Sequence, residues 1–279
     1  MSTAETSYVR CPFCEATLTA SPRESVVHCP WCNREFAPEK TRKRRDRFGE
    51  EQLGNEWKAT VTMALVAGAI VAFVAQFVVS IIRINLLQEL DEALERQLVM
   101  PFNIPGDLEA RLGHWQDVGE QVMTVAVVVA GLAGIAFLVW LDHAVGNLHL
   151  LETTGLAFDR TGTVLSFFIP ILNLFQPHAS MQEICQASDP LHAQTRTAWK
   201  SSPSLRSVTV WWLSLLAAGL LAGLGVLASN DDHHMEGILY LLCGVDIALT
   251  ISGSALLYVI FTVEQRQRQR YEMLNDEDQ

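Results

Sequence analysis

The sequence predicts a mainly α-helical fold, a polytopic membrane bundle behind a small N-terminal knuckle domain. Three observations predict it. Apolar residues make up 49% of the 279 residues and charged ones only 18%. The apolar residues fall in a few long uncharged runs, whereas a helix on a soluble surface alternates between an apolar and a polar face. Two Cys-x-x-Cys pairs stand close together ahead of the first run.

Residues 1–40 are polar, with short alternating stretches around Val26, Val27 and His28 and around Arg34, Glu35 and Phe36. They read as short strands and turns. Within them Cys11-Pro-Phe-Cys14 is followed, fourteen residues later, by Cys29-Pro-Trp-Cys32. Each Cys-x-x-Cys turn offers two thiolates on one side of a tight knuckle, and two knuckles complete a tetrahedral four-sulfur site. The spacing resembles that of the zinc ribbon family over residues 8–37 and implies one structural zinc ion on Cys11, Cys14, Cys29 and Cys32. Iron in a similar site and paired redox cysteines are the competing chemistries. Four protein ligands leave no open position for catalysis. His28 reads as a surface residue. Cys185 and Cys243 stand alone, which fits small structural residues and not a disulfide framework. A thiolate metal site suits the reducing side of a membrane.

Residues 41–58 read as a charged, solvated helical linker. Its basic run Arg42-Lys43-Arg44-Arg45-Asp46-Arg47 reads as a topology determinant, compatible with contact to anionic headgroups. The chain as a whole carries a formal charge of −11. No nucleic-acid partner is expected from that balance, because phosphate binding needs clustered Lys and Arg. The first forty residues contain no apolar run of signal-peptide length, so no cleaved secretory signal is expected.

Four runs meet the length needed to cross a bilayer, about 20 apolar residues. They are 59–82, 122–141, 208–229 and 237–261 within a membrane domain at 59–265, followed by a tail at 266–279. The third opens with Trp211-Trp212, which reads as an interfacial aromatic belt. Residues 83–100 place Ile84, Leu87, Leu90, Leu94 and Leu98 three or four apart, an amphipathic continuation of the first span that Pro101 and Pro105 end. A fifth apolar stretch, 163–175, is short and interrupted by Pro170, so it reads as re-entrant or interfacial in preference to spanning. There Asn173 is placed to satisfy backbone groups that Pro170 frees, and Pro177 limits further burial. With four crossings, 1–58, 142–207 and the tail share a side and together hold seventeen basic residues, ten of them in 1–58, against three in the 83–120 loop. That bias predicts an inner-membrane protein with both termini cytoplasmic.

Asp246 falls inside the last span, where a carboxylate must face the bundle or be neutralised. Gly219 and Gly223 form a GxxxG face suited to close helix packing or to a homo-oligomer. His143 and Asn147 share a helical face after the second span, but His149 does not, so a metal site there is disfavoured. The turn at Asp231, Asp232, His233 and His234 reads as solvated. No P-loop, dinucleotide fingerprint or nucleophile elbow occurs.

The stretch from Phe137 to Trp212 carries a recognisable series: Trp140, Asn147-Leu148, Gly155-Leu156-x-Phe158, Phe168-x-Pro170-Ile171-x-Asn173-Leu174-x-x-Pro177, then Met181-x-Glu183. It resembles the bacterial membrane family known as domain of unknown function 4328, with Cys185 where a Trp is common. The resemblance implies a multi-span helical architecture and no established activity. The expectation for function is a non-enzymatic assembly, sensing or docking protein in contact with the lipid bilayer, with a protein partner at the ribbon. The alternative is a small-solute or ion transporter or channel subunit using Asp246 and the segment from Pro170 to Asn173.

Overall fold

The computed structural model describes residues 7–11, 13, 14, 16–20, 27–36, 38–99, 106–151, 153–192, 198–229 and 235–276. The chain divides into two units, Met1–Asn55 and Glu56–Gln279. In the first, strands β1 (Ser7–Arg10) and β2 (Thr17–Ala20) pair antiparallel with Tyr8 opposite Thr19. Strands β3 (Val27–His28) and β4 (Glu35–Phe36) form a second hairpin, with His28 opposite Glu35. Among the described residues its buried apolar set is small: Cys11, Leu18, Val27 and Cys29.

Among the described residues six α-helices follow: α1 (Pro38–Val99), α2 (Gly106–Leu150), α3 (Arg160–Leu165), α4 (Gln176–Ala187), α5 (Arg206–Ala228) and α6 (Met235–Asp276). Four of them are long and apolar enough to span a bilayer, over Trp57–Glu95, Asp107–Leu148, Arg206–Ala228 and Glu236–Met273. Their apolar side chains face outward along much of their length: Val71 is 69% exposed, Leu220 67% and Val226 68%. A surface of that kind belongs in lipid, since water-facing apolar patches of this extent are rare. The protein is a helical membrane bundle.

The helices outrun the apolar runs that nucleate them. The first span and the amphipathic stretch after it form one continuous helix, with Ile84 and Leu86 buried and Leu94 exposed. The last span continues through the tail as helix to Asp276. Asp159 caps α3 by accepting from the Gly162 N–H at 3.1 Å, the usual role of Asp at a helix start. Pro177 lies in the first turn of α4, where a missing N–H costs nothing, and it is buried.

The main core lies at one end of the bundle, where Ala59 of α1, Trp140 and Leu148 of α2, Met181 and Ile184 of α4, Val208 of α5 and Val263 of α6 share one cluster. Both ends of the membrane unit therefore lie on the same side.

Two readings of the sequence are corrected here. Trp211 and Trp212 are not a belt at the lipid boundary, for both are buried, and the Trp212 indole donates to the Leu174 carbonyl at 3.1 Å. The 163–175 stretch folds over them and removes them from the lipid surface. Nor does the Asn173 side chain repair the broken backbone. Trp212 does so at Leu174, while short-range bonds from Asn173 N to Ile169 O and from Phe175 N to Leu172 O close the turns. The segment itself consists of the end of α3, tight turns and a 3₁₀ turn at Leu172–Leu174, so it does not span. Phe168, Ile171 and Phe175 point outward from it, 67%, 75% and 71% exposed.

Gly219 and Gly223 do not mediate packing within the chain. A Cβ added at either would meet nothing within 4 Å. The α5–α6 contact uses Leu221 against Gly244 instead. The turn at 231–234 lies outside the described residues.

Candidate functional site

The knuckle unit brings its four cysteines together. The Cys11 and Cys32 sulfurs are 3.5 Å apart, those of Cys14 and Cys29 3.4 Å, and all four lie within 4.8 Å of one another. A disulfide needs about 2.05 Å, so these are free thiols. A tetrahedral site with metal–sulfur bonds of about 2.3 Å separates its sulfurs by about 3.8 Å, and the observed set brackets that value. The two knuckles repeat one backbone pattern: Cys11 N donates to Ala16 O at 3.0 Å, and Cys29 N donates to Arg34 O at 2.9 Å. Asn33 completes the second turn with φ of 57°, a left-handed conformation that Asn tolerates. Burial opposes ionisation of Cys29, yet the amide groups of Cys32 and Trp31 and the neighbouring thiols outweigh it and bring that thiol down to about 6. The cluster is a fit host for a metal ion. At the knuckle tips Trp31 is 78% exposed and Phe13 is half-exposed, with the Arg34 guanidinium 4.9 Å from its ring. His28 is exposed.

In the membrane unit, the connection between α2 and α5 is tied down by polar side chains. Gly155, with φ of 77°, turns the chain in a conformation that L side chains rarely adopt. The turn delivers the Ala157 and Phe158 N–H groups to the Glu183 carboxylate at 2.6 and 3.1 Å. Gln182 holds both backbone groups of Leu205, donating to its O at 2.8 Å and accepting from its N at 2.9 Å. Trp199 donates to Thr154 O at 3.0 Å, and Ser202 donates to Asp189 at 2.5 Å. Arg160 forms a bidentate pair with Asp142 at 2.6 and 2.5 Å.

The far end of α6 locks this connection in place. Trp140 donates to Glu264 at 2.7 Å. Asn147 donates to Gln267 at 3.0 Å, and Gln267 donates in turn to Ala144 O at 3.0 Å and to Ser188 at 3.2 Å. Arg266 donates to Cys185 O at 2.8 Å, and Arg270 donates to Ala187 O. Burial pushes the Cys185 thiol up to about 12, against the opposing pull of Arg266, so it is an inert packing residue.

Several members of the series that runs through the sequence are so joined, Trp140, Asn147, Phe158, Leu174 and Glu183, while Gly155 makes the turn and Pro177 and Met181 are buried in α4. A model of the family described as Domain of unknown function (DUF4328) matches residues 106–264. The chain belongs to this family. No curated protein and no solved structure matches it. In this DUF4328 chain the shared series is the scaffold of one end of the bundle, with Glu183 and Asn147 bonding to backbone or to α6. Gln267 and Arg270, both buried, lie beyond the family match. They were not singled out in the sequence because the Arg-Gln-Arg-Gln-Arg run reads as a solvated tail. Helical spacing of three from Glu264 to Gln267 to Arg270 is the signal that could have found them.

Of the other sequence candidates, Pro170 is exposed and Asn173 half-buried. Asp246 is 2% exposed in the last span, and its Oδ2 has no hydrogen-bond partner among the described residues. Among those residues the four cysteines are the group of His, Cys, Asp and Glu side chains placed to hold a metal, and His143 joins none. A cavity of about 290 Å³ between α1, α2, α5 and α6 is lined by apolar residues such as Ile70, Phe137, Trp211 and Leu256.

Glu183 offers a direct test of the scaffold. Glu183→Ala removes two charge-assisted bonds and is expected to lower stability by about 1–3 kcal/mol. Hydrogen exchange at 155–160 should accelerate while exchange in α5 stays unchanged. Unaltered protection at 155–160 would show that the carboxylate does not hold the turn.

Proposed function

We propose that the chain is a non-enzymatic protein of the bacterial inner membrane that serves assembly, sensing or docking, with its knuckle unit and both termini in the cytoplasm. The observation that carries this reading is the convergence of Cys11, Cys14, Cys29 and Cys32 beside an exposed Trp31. The donor set is all sulfur, four atoms within 4.8 Å of one another, which favours zinc over oxygen-seeking metals. Zinc there supplies a rigid cross-link to a unit whose own core is small, and four protein ligands leave no position for a substrate. Trp31 then acts as an aromatic anchor for a protein partner, the residue type enriched at interface hot spots. The basic bias of the flanks supports the cytoplasmic placement. The polar groups at the scaffolded end of the bundle also fit a non-enzymatic role, since they are spent on backbone groups and on one another.

The test is a photo-crosslinking residue at position 31 in intact cells. A discrete adduct is expected at this position, and none in a Cys14→Ser background, where the knuckle is lost. Crosslinking that is absent, or equal in both backgrounds, would count against docking through the knuckle.

A second reading, a solute or ion transporter subunit, is favoured by one observation, the buried Asp246 with an unanswered oxygen in the last span.

A further inference from the structure

The spanning helices pack around a common interior that one seam leaves open. On one side α1 meets α2, where Thr62 donates to Ala136 O at 3.1 Å and a Cβ on Gly68 would lie 3.6 Å from Val129. On the other it meets α6, where a Cβ on Gly253 would lie 2.8 Å from Ile70. In turn α6 meets α5, where Ser252 donates to Trp211 O at 3.1 Å and a Cβ on Gly244 would lie 3.1 Å from Leu221. Between α2 and α5 the Phe137 and Trp211 rings lie 5.8 Å apart. One turn earlier on α2, Gly134 is exposed, and a Cβ there would meet nothing within 4 Å.

Behind this seam lies the cavity of about 290 Å³. Its inner wall is buried, with Val66 and Ala69 on α1 and Ser252 and Leu256 on α6. Its edges are open: Gly134 is exposed, and Leu138 and Leu215 are half-buried. Phe167, from the 163–175 stretch, meets Phe137 edge to face at 5.7 Å and closes the end beside the main core. Ala69 lies ten residues into the apolar run that begins at Ala59. That is about 15 Å along the helix, half of a hydrocarbon core about 30 Å thick. The cavity therefore sits near mid-membrane and opens sideways into lipid.

An unfilled cavity destabilises a fold in proportion to its volume. Water is a poor filler here, because a buried water needs about two to four polar partners. The lining side chains offer the Trp211 indole and the Ser252 hydroxyl, and that hydroxyl is already bonded to the Trp211 carbonyl. The occupant must be apolar. The volume is about twice that of an apolar protein cavity of about 150 Å³ that takes up benzene. A phospholipid at the seam keeps its headgroup at the surface while its chain end reaches mid-membrane, the depth of the cavity. We propose that the cavity binds the hydrocarbon chain of a membrane phospholipid, which enters between α2 and α5 below Phe167. The chain supplies the wall that the seam leaves open, and the site goes beyond the docking role.

The experiment uses the full chain in nanodiscs of phosphatidylethanolamine and phosphatidylglycerol. A trace of the phosphatidylglycerol carries a diazirine near the end of one acyl chain, and mass spectrometry locates the adducts after illumination. Adducts are expected to concentrate on Phe73, Gly134 and Leu215 in the lining, above those on the outward-facing Val127 and Leu213. Gly134→Phe places a ring in open space, so it should fold and cut the lining adducts about tenfold. Leu215→Trp narrows the seam from α5 and should act the same way, whereas Leu213→Phe on the lipid face should leave the adducts unchanged. Equal labelling of lining and outward residues would show ordinary boundary lipid and overturn the proposal. So would lining adducts that persist in both filling variants. A lining that stays unlabelled would mean that a side chain or a second copy fills it, which equally refutes the idea. Displacement of the adducts by free fatty acid, but not by excess unlabelled phospholipid, would assign the cavity to a free ligand and sink the membrane-lipid site.

Discussion

Replacing Cys14 with serine is expected to unfold the knuckle unit and leave the membrane unit inserted and folded. The unit's buried apolar residues beyond its cysteines are Leu18 and Val27 among those described. Two short hairpins with so little buried area do not offset the entropy of ordering their own chain. Binding of a structural zinc ion by such peptides is worth about 10–16 kcal/mol and is coupled to their folding. Loss of one of four ligands therefore removes most of what holds the unit together. The measurements are the metal-to-protein ratio of the full chain and the protease resistance of residues 1–40. Wild-type protein should carry one zinc per chain, and a chelator should reproduce the effect of the mutation. A knuckle that stays protease-resistant without metal would sink the idea. Separation of the chain into two compact units gives the second half of the expectation its basis.

Gln267→Leu is expected to destabilise the membrane unit by about 2–5 kcal/mol, the largest effect of any single change there. Leucine fills similar space, so the loss is not a cavity. It is a loss of partners. Gln267 is fully buried and joins Asn147, the Ala144 carbonyl and Ser188, which belong to the end of α2 and to the residue that closes α4. Each buried polar group left without a partner costs about 1–3 kcal/mol. The position lies beyond the apolar part of α6, so the groups regain water on unfolding and the cost is not muted by a lipid reference state. Asn147→Leu in the same chain removes one of the orphans. The double mutant should then be more stable than the two single effects predict, by about 1–2 kcal/mol. Chemical unfolding in detergent reads both numbers. Wild-type stability for Gln267→Leu would show that the network holds nothing, and strict additivity would show that the two side chains act separately.

Much of this protein was settled by the order of residues alone. Four long apolar runs require helices in lipid, because backbone N–H and C=O groups in hydrocarbon have no other internal partners. Two Cys-x-x-Cys pairs at short separation require only local chain to converge, and they do converge. Pro170 likewise rules out one continuous helix through 163–175 on local grounds. The series around Pro170-Ile-x-Asn-Leu-x-x-Pro177 pointed to the family whose model matches residues 106–264. The roles of its members were a different matter.

Whether Trp212 meets lipid or a carbonyl depends on where Leu174 folds, thirty-eight residues away. Whether Gln267 and Arg270 are solvated or buried depends on α4 and the end of α2 being packed against that turn of α6. Gly219 and Gly223 carry a packing motif that the chain does not use within itself, because α6 meets a different face of α5. Spacing within a helix is fixed by covalent geometry and so is written in the sequence. Partnership between helices is fixed by which surfaces exclude lipid and water together, a property of the packed bundle that no single segment contains.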